Sequence, residues 1–557
     1  MGFSDPDPDS LPSRIAALVH AHFDGLPTRS KPAIHDGMAE WIPMTGIVLV
    51  KGENTPEEKL TCVAVTTGAK CLPASQIPTC NGMVLHDCHA EILAMRAFNF
   101  WLLSECYALL GHENHSSKDP DGSASPYIWR RHPLNPSGAA LPPFELHPDV
   151  SIYMYCTCAP CGDASMELVI AAQNDPTPWA LPNRTTSVES SSGGCDLNSS
   201  DPSLLDGRAH FSNLGIVRRK PARADAESTK SKSCSDKLAL RQVTSVLSYE
   251  ASLLVAVTGN AYIKGLVLPE EEITRVGCAR CFGADGRMKV LKGRAWPVTS
   301  PVGSGDGNDN GNGGPRIESG NWQQCRYEFR PFEILSIPDT QLKSLWPFRK
   351  PKASDPVPDG ESKDGEATQI PRPKKSKPGN ISAVWVRAPT SGHEDPSHPS
   401  NTISTDNGRK NLPFLRGSKT GLFENIINGV RQGHRASSPG LRGASALSRA
   451  KLWAYCSKII AAAQLFEGDH VVLSRNEDGF IRIRSTGTMS ADDVLTYREF
   501  KKEPPVLKEC MEARANAMKA AKEVLEGWVS NSGDEDWGWG IVTLGLRRNG
   551  SVEFLHR

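Results

Sequence analysis

Three features are scarce in this sequence of 557 residues: net charge, long apolar runs and a basic leader. Lysine and arginine together number 63, as do aspartate and glutamate, so the formal net charge is zero. A neutral chain has no global field that draws it to nucleic acid or to an anionic membrane. The acidic, polar start MGFSDPDPDS lacks the parts of a secretory signal, and no run of about 18 apolar residues follows. We therefore expect a soluble protein of the nucleus, the cytoplasm or both, with no membrane or DNA partner.

Apolar residues and cysteines are present in useful numbers. Hydrophobic residues make up 38% of the chain, which is enough for a substantial core. The 15 cysteines are scattered over the whole length, unlike the dense framework of a small disulfide-bonded secreted protein. We expect them to be buried thiols or metal ligands.

Four low-complexity stretches interrupt the apolar periodicity, near residues 111–143, 174–208, 300–320 and 350–408. They are rich in glycine, proline, serine, asparagine or charge, and we expect insertions without packed structure, the last two disordered. Within the last, RPKKSKP is more typical of a solvated basic linker than of a nuclear signal. We interpret residues 1–557 as a single domain with these insertions.

Between the insertions, the hydrophobic spacing indicates an α/β protein. Helical spacing occurs at residues 13–23, 447–466 and 506–529, and strand-like runs occur at residues 40–51, 60–67, 151–157 and 540–548. The stretch DCHAEILAMRAF predicts a helix that starts at its N-cap Asp87, and GDASMELVIAA predicts a helix capped by Asp163. A strand, a tight turn and a helix in this order are typical of α/β folds.

His89 and Glu91 form an H-x-E pair at the start of the first of these helices. Residues two apart on a helix lie about 200° apart, so the pair can share a ligand only near the helix end. By itself H-x-E is common and more typical of a capped, solvated helix start. The pair needs further partners before it indicates a metal site.

Cys161, in APCGDAS, is the first such partner, because a strand-to-helix turn lowers the pKa of a thiol toward the thiolate that binds metals. A histidine, a thiolate and an uncoordinated glutamate are components of a zinc deaminase site. In the usual P-C-x-x-C pattern, however, the next ligand would fall on Ala164. Spacing leaves several candidates for the missing ligand: Cys156, Cys158, Cys234, Cys278 and Cys281. The last two are more typical of structural thiols.

The three motifs HAE, PCGD and SCSDK, in this order, resemble the deaminase domain of the adenosine deaminases acting on RNA and of the related eukaryotic tRNA-specific adenosine deaminases. WIPMTGIVLV, TTGAKCL, NGVRQG, RAKLWAYC and YREFK extend the resemblance. It implies a cytidine-deaminase-like α/β fold, with a mixed sheet, flanking zinc-bearing helices and a C-terminal helical half. It further implies His89, Cys161 and Cys234 as zinc ligands and Glu91 as the proton shuttle.

The resemblance also implies a second cofactor, inositol hexakisphosphate, buried beneath the active site. Its contacts would be Arg96, Lys237, Lys451, Tyr497, Lys501 and Trp528, with Asp87 bridging the zinc ligands to Lys237. Lys70 matches the substrate-contacting lysine of the family. The sequence departs from the RNA-editing branch at Met95, Ser165 and Leu240, where that branch has arginines.

The expected substrate is tRNA. About 40 residues precede the first strand, too few for a double-stranded RNA-binding domain, which favours the tRNA branch that converts adenosine 37 of alanine tRNA to inosine. An unpaired loop base also needs less unstacking to enter a pocket. We therefore predict a hydrolase acting on a cyclic amidine C–N bond. The alternatives are deamination of double-stranded RNA, another structured RNA or a free nucleoside, and a non-catalytic RNA-binding zinc protein.

Residues 409–458 form a basic stretch with ten lysines and arginines and one acid, Glu424. Such a stretch suits phosphate groups. The sequence leaves open whether it grips tRNA or lines the inositol phosphate site, and it leaves the oligomeric state open too.

Overall fold

A computed structural model describes most of the chain. The described residues are 9–35, 38–113, 125–131, 141–172, 205–206, 213–220, 227–298, 325–350, 377–390, 417–418, 420–462, 471–475, 481–485, 497–502, 507–537, 543–546 and 552–555. The predicted insertions lie mostly outside these ranges, and so does part of the predicted strand at 540–548. In the described part of the chain, no helix combines the length and the apolar character that crossing a bilayer requires.

The centre of the structure is a nine-stranded mixed sheet. Its strands are β1 (Met44–Lys51), β2 (Lys59–Thr67), β3 (Val150–Cys156), β4 (Ile263–Pro269), β5 (Glu333–Ile337), β6 (Ser382–Arg387), β7 (Gly417–Ser418), β8 (Gly421–Ile427) and β9 (Val430–Arg431). They are ordered β5-β4-β3-β1-β2-β6-β8-β7, with β9 also paired to β8. Strands β3, β4 and β5 are mutually parallel, and the other pairs are antiparallel.

Ten α-helices surround the sheet in the described ranges: α1 (Leu11–Asp24), α2 (Ala90–Glu113), α3 (Met166–Ala171), α4 (Cys234–Thr244), α5 (Tyr249–Ser252), α6 (Arg275–Phe282), α7 (Asp339–Leu345), α8 (Arg449–Ala462), α9 (Tyr497–Lys502) and α10 (Lys508–Val524). Two-stranded ribbons complete the list: Ile34–His35 with Met38–Ala39, Ala69–Cys71 with Asp87–His89, Ile128–Arg130 with Phe144–Leu146, Leu205–Asp206 with Arg218–Arg219, Ala295–Pro297 with Arg326–Glu328, Val471–Arg475 with Ile481–Ser485, and Thr543–Leu546 with Val552–Leu555. The expected α/β class, with a mixed sheet and C-terminal helices α8 to α10, is confirmed.

Both faces of the sheet are covered, which explains why its strands read as continuous apolar runs. Along β1, Ile47 and Leu49 belong to the core cluster that includes α2, whereas Val48 and Val50 belong to the cluster that includes α1. Successive side chains of a strand point to opposite faces, so one strand anchors both helices. The period-2 alternation of a half-exposed strand is therefore absent.

The predicted start of the second helix is wrong. Residues Asp87–His89 form a short strand paired with Ala69–Cys71, and α2 begins only at Ala90. The Asp87 carboxylate accepts a hydrogen bond from the backbone N–H of His89 at 3.0 Å, so it orders the strand end and does not cap the helix. The residues around Asp87 do not reveal this strand, because its partner, Ala69–Cys71, lies 16 to 20 positions earlier in the sequence.

Asp163 is likewise no N-cap. Its region begins with a short 3-10 turn, Asp163–Ser165, without a side-chain cap, and α3 follows. Its carboxylate instead accepts from the backbone N–H of Gly215 at 2.8 Å and from Arg280 at 2.8 Å. These are contacts with later parts of the chain.

Gly46 allows α1 to approach the sheet closely. A Cβ at this position would lie 2.6 Å from Cγ1 of Val19 and closer still to its Cγ2.

Gly46→Ala should therefore lower the free energy of unfolding by about 1–3 kcal/mol, as overpacking does, measured by urea denaturation. In a Val19→Ala background, which removes both γ-carbons, the same change should cost clearly less. Equal costs in the two backgrounds would contradict this account of the contact.

Candidate active site

Three side chains from separate parts of the chain meet next to the N-terminus of α2. His89 ends its ribbon strand, Cys161 lies in the loop after β3, and Cys234 opens α4. The Nδ1 atom of His89 is 3.7 Å from Sγ of Cys161 and 3.6 Å from Sγ of Cys234. The backbone N–H of Cys234 also points at Sγ of Cys161, at 3.4 Å.

This donor set fits a zinc ion. Zn–S bonds of about 2.3 Å and Zn–N bonds of about 2.0 Å in a tetrahedron require N to S separations of about 3.5 Å. The observed separations of 3.7 and 3.6 Å are close to that edge length. Three protein ligands also leave one position for water or substrate, as catalytic zinc sites do.

Glu91 lies beside this cluster in the first turn of α2 and is 4% exposed. Burial raises the pKa of its carboxyl group, and the negative charge of Cys161 raises it further, whereas His89 and Lys220 oppose the shift. Glu91 is outside the group of candidate ligand atoms, which comprises His89, Cys161 and Cys234. A buried carboxyl group beside a metal-binding cluster is suited to moving protons.

The pKa of Cys161 lies well below that of an ordinary thiol. A hydrogen bond from Cys234 is the main cause; burial opposes the shift, and the cations Lys220 and His89 reinforce it. The Nζ atom of Lys220 is 3.2 Å from Sγ of Cys234. A cation beside the two sulfurs favours the thiolate form that a metal requires.

Asp87 connects this cluster to two lysines. Its carboxylate accepts from Nζ of Lys220 at 2.9 Å, from Oγ of Ser231 at 2.6 Å and from Nζ of Lys237. Although burial raises it, the pKa of Asp87 stays well below its usual range because Lys220 and Lys237 stabilise the anion. Lys237 was expected here from the resemblance, whereas Lys220 was not, since the run RRK looks like solvated surface charge.

The other residues expected around inositol hexakisphosphate lie on α2, α8 and α9 and after α10. In this structure their polar groups contact backbone oxygens, acids or another cation: Arg96 contacts Leu447 O, Lys451 contacts Ala444 O, Tyr497 contacts Glu250, Lys501 contacts Glu535, and the Trp528 ring faces Lys232 Nζ. Lys501 is the most accessible of the basic side chains, at 35% exposed.

Arg449, from the basic stretch, and two arginines missed from the sequence, Arg241 and Arg514, form a cation cluster with Arg96. Burial lowers the pKa of Arg96, and the neighbouring Arg449 lowers it further. Burial, Arg514 and Arg96 together lower the pKa of Arg241 to about 9. Glu250 is the acid that acts on both Arg96 and Arg241. Positive charge therefore exceeds negative charge at this place.

A C-terminal segment, residues 529–537, closes one side of the site. The side chains of Asn531 and Asp534 contact Nδ1 and Nε2 of His86, at 3.0 and 2.9 Å. The other carboxylate oxygen of Asp534 accepts from the backbone N–H of Gly82 at 2.6 Å. This segment is thus fixed to the residues just before Asp87.

The remaining predicted residues are placed as follows. Lys70 lies opposite Cys88 in the ribbon that carries His89 and is partly exposed. Cys156 is buried and accepts from Oγ1 of Thr45 at 3.3 Å. The thiol of Cys281 donates a hydrogen bond to the Asp163 carboxylate at 3.1 Å, so its role here is structural. None of the candidate metal groups in the described ranges includes Cys156, Cys158, Cys278 or Cys281.

The Asp87 network generates a stability prediction. Asp87→Asn leaves the ammonium groups of Lys220 and Lys237 without their anion, and Lys220 is 4% exposed. Removing one partner of a buried pair costs about 3–5 kcal/mol. We expect a loss of that size in the free energy of unfolding, measured by urea denaturation.

The matched control is Asp149→Asn, which removes the partner of Lys51 from a pair whose side chains are 46% and 30% exposed. An exposed pair contributes about 1 kcal/mol or less. Equal losses in the free energy of unfolding would show that the Asp87 charge stabilises the protein no more than an exposed carboxylate does.

Comparisons with known proteins agree with this geometry. Residues 64–329 match the model of the adenosine-deaminase (editase) domain. The tRNA-specific adenosine deaminase 1 of Schizosaccharomyces pombe is 37% identical over 279 residues, covering 50% of this chain and 62% of the relative. The protein of that name in Saccharomyces cerevisiae is 32% identical over 245 residues, covering 44% and 55%. The double-stranded RNA-specific editase Adar of Drosophila melanogaster is 29% identical over 248 residues, covering 42% and 31%.

The chain thus spans 62% and 55% of the lengths of the first two relatives. The matched segment contains His89, Glu91, Cys161 and Cys234. The chain therefore carries an adenosine-deaminase (editase) domain in residues 64–329.

Proposed function

We propose that this protein hydrolyses adenosine to inosine in tRNA, at position 37 of alanine tRNA, with zinc as cofactor. The observation that carries the proposal is the convergence of His89, Cys161 and Cys234 beside the buried Glu91. Two of the relatives are named tRNA-specific adenosine deaminases, which supports tRNA as the substrate class. The position within the tRNA rests on the resemblance of the motifs.

Each residue has a distinct part in the proposed reaction. His89, Cys161 and Cys234 would hold the zinc, which when bound lowers the pKa of its water. The Glu91 carboxylate would take a proton from the attacking water and deliver it to the ring nitrogen next to C6. Water adds at C6 and ammonia leaves, so adenosine and water become inosine and ammonia.

Lys220 and Asp87 act through other groups. Lys220 lies between Sγ of Cys234 and the Asp87 carboxylate, at 3.2 and 2.9 Å. It therefore stabilises the thiolate and fixes it relative to His89, whose backbone N–H donates to Asp87. Both are positioning residues, comparable to the outer partners of other metal ligands.

The decisive test is to incubate purified protein with alanine tRNA and to sequence the product for inosine at position 37. The intact protein should produce inosine. Glu91→Ala should produce none while retaining zinc, measured by atomic emission, because Glu91 is no ligand in this assignment. His89→Ala should lower both the zinc content and the yield of inosine.

Two outcomes would contradict the proposal in different ways. Inosine from the Glu91→Ala variant would refute the role of Glu91. A zinc-loaded intact protein that makes no inosine in any tRNA would redirect the search to double-stranded RNA and free nucleosides. RNA binding without inosine from any substrate would identify a non-catalytic zinc protein.

We further propose that inositol hexakisphosphate occupies the cation cluster. Arg96 interacts electrostatically with Arg449 and Arg241, and Arg241 interacts with Arg514. Two acids lie near these four arginines: Glu250, which also accepts from Tyr497, and Asp534, which is 3.8 Å from Arg449. Burying unbalanced charge is very costly, and a polyphosphate supplies the missing anions with multiple acceptors for arginine. Lys237, whose ammonium group contacts Asp87, would connect this ligand to the zinc ligands.

This assignment predicts that the purified protein releases inositol hexakisphosphate on acid denaturation, about one molecule per chain, detected by mass spectrometry. Arg96→Leu should release less, because the ligand loses a cationic partner, and should unfold at lower temperature, because less bound ligand stabilises the folded state. Lys343→Ala, in exposed α7, is the control and should match the intact protein. A folded, active protein that releases no polyphosphate would refute the assignment.

A further inference from the structure

Where the structure describes the basic stretch, at residues 417–418 and 420–458, its cations fall into two groups. Arg449 and Lys451 lie at the start of α8, in the buried region next to Arg96. Arg435 and Arg442 lie on an exposed loop that follows β9. We call residues 431–443 the rim loop. One part of the stretch thus faces the interior, and the other faces solvent.

We propose that the rim loop is a docking surface for RNA phosphates that flank the target adenosine. The inference rests on the proposed function and deepens it, because it assigns a second contact surface to the same substrate. It concerns binding alone and assigns no catalytic role to the loop.

The charge of the rim loop has one sign. Its sequence RQGHRASSPGLRG contains three arginines and a histidine, with no aspartate or glutamate. Arg431 is 40% exposed and lies 3.5 Å from Glu424, the buried acid beneath the loop. His434 and Arg435 are exposed and have no ion-pair partner among the residues that the structure describes. An exposed arginine such as Arg435 is suited to phosphate oxygens.

The rim loop is attached beside the candidate active site. Val430, immediately before it, is fully buried in a small apolar cluster with Leu72, and Ala436 of the loop packs against that cluster. The carbonyl of Gly429 accepts from the backbone N–H of Leu85 at 2.8 Å. Leu72 directly follows the ribbon strand Ala69–Cys71, which contains Lys70. RNA that placed its target base near Lys70 would therefore meet this loop.

Hydrogen bonds hold the rim loop in a defined shape. The backbone N–H of Arg431 donates to Gly443 O at 2.8 Å, which closes the loop at its base. The backbone N–H of Gln432 donates to Asn425 O at 2.8 Å, and the Asn425 amide donates to the Gln432 side chain at 3.0 Å. A loop ordered in this way loses little entropy when it binds.

RNA explains these features better than an acidic protein partner does. The surface combines positive charges with little apolar area, since Ala436, Pro439 and Leu441 are partly buried and the rest of the loop is polar or glycine. Protein interfaces are centred on apolar and aromatic anchors, whereas phosphate binding requires exposed cations at intervals. An acidic protein is therefore the outcome against which RNA is tested.

The test compares two charge reversals in the full chain. Arg435→Glu reverses a charge in the rim loop. Lys343→Glu reverses the charge of an exposed residue in α7, a helix that packs with α1 on the other side of the sheet. The dissociation constant for alanine tRNA is measured at several salt concentrations. For Arg435→Glu we expect binding about tenfold weaker and a slope of log K against log salt smaller by about one, the value of a lost phosphate contact. Lys343→Glu should match the intact protein, and equal melting temperatures check the fold.

The outcomes separate this inference from the proposed reaction. Unchanged affinity and slope in Arg435→Glu overturn the docking surface even if the intact protein makes inosine, and would leave an acidic protein as the partner of the loop. An intact protein that makes no inosine contradicts the reaction. Weaker binding and a smaller slope confined to Arg435→Glu would still support the docking surface in that case.

Discussion

The buried Asp87 carboxylate is the interaction on which both candidate sites depend. It receives hydrogen bonds from Lys220, Ser231 and Lys237 and orders the backbone at His89. Lys220 also reaches a cysteine sulfur, and Lys237 also donates to Ser231. A single anion therefore balances charges that would otherwise repel each other in a region shielded from water.

The sheet makes this arrangement geometrically accessible. Strands β1 and β3 are adjacent, so the loop after β3, which holds Cys161, comes close to the ribbon strand that holds His89. The helix α2 then lies across the sheet and carries Glu91 at the end nearest these residues. Because the scaffold is packed on both faces, the site residues are held by rigid elements, which suits a constellation that needs fixed distances.

Much of the fold could be predicted from sequence, because its strands and helices carry strong local patterns. Helices α1, α8 and α10 and strands β1, β2 and β3 all fall within a few residues of the expected ranges. The Asp87 cap failed because the strand that replaces it pairs with residues far along the chain. Pairing of this kind leaves no mark in a local window.

The candidate site, too, could be predicted from the sequence only in part. His89, Glu91 and Cys161 stand in recognisable spacing, but spacing left five candidates for the missing ligand, and only the resemblance selected Cys234. Lys220, Arg241 and Arg514 were missed because lysine and arginine usually lie on the surface. Their burial follows from three-dimensional convergence on Asp87 and on the cation cluster, which no property of the adjacent residues signals.

The contact between His86 and the segment at 529–537 has a consequence for how the protein is made. Asn531 and Asp534 fix a loop that is synthesised more than four hundred residues earlier. During translation the sheet strands β1, β2 and β3 emerge long before this segment, so the loop at Gly82 to His86 must wait unsecured while the rest of the chain leaves the ribosome. This side of the candidate site can therefore be completed only after a segment made more than four hundred residues later has joined the strands.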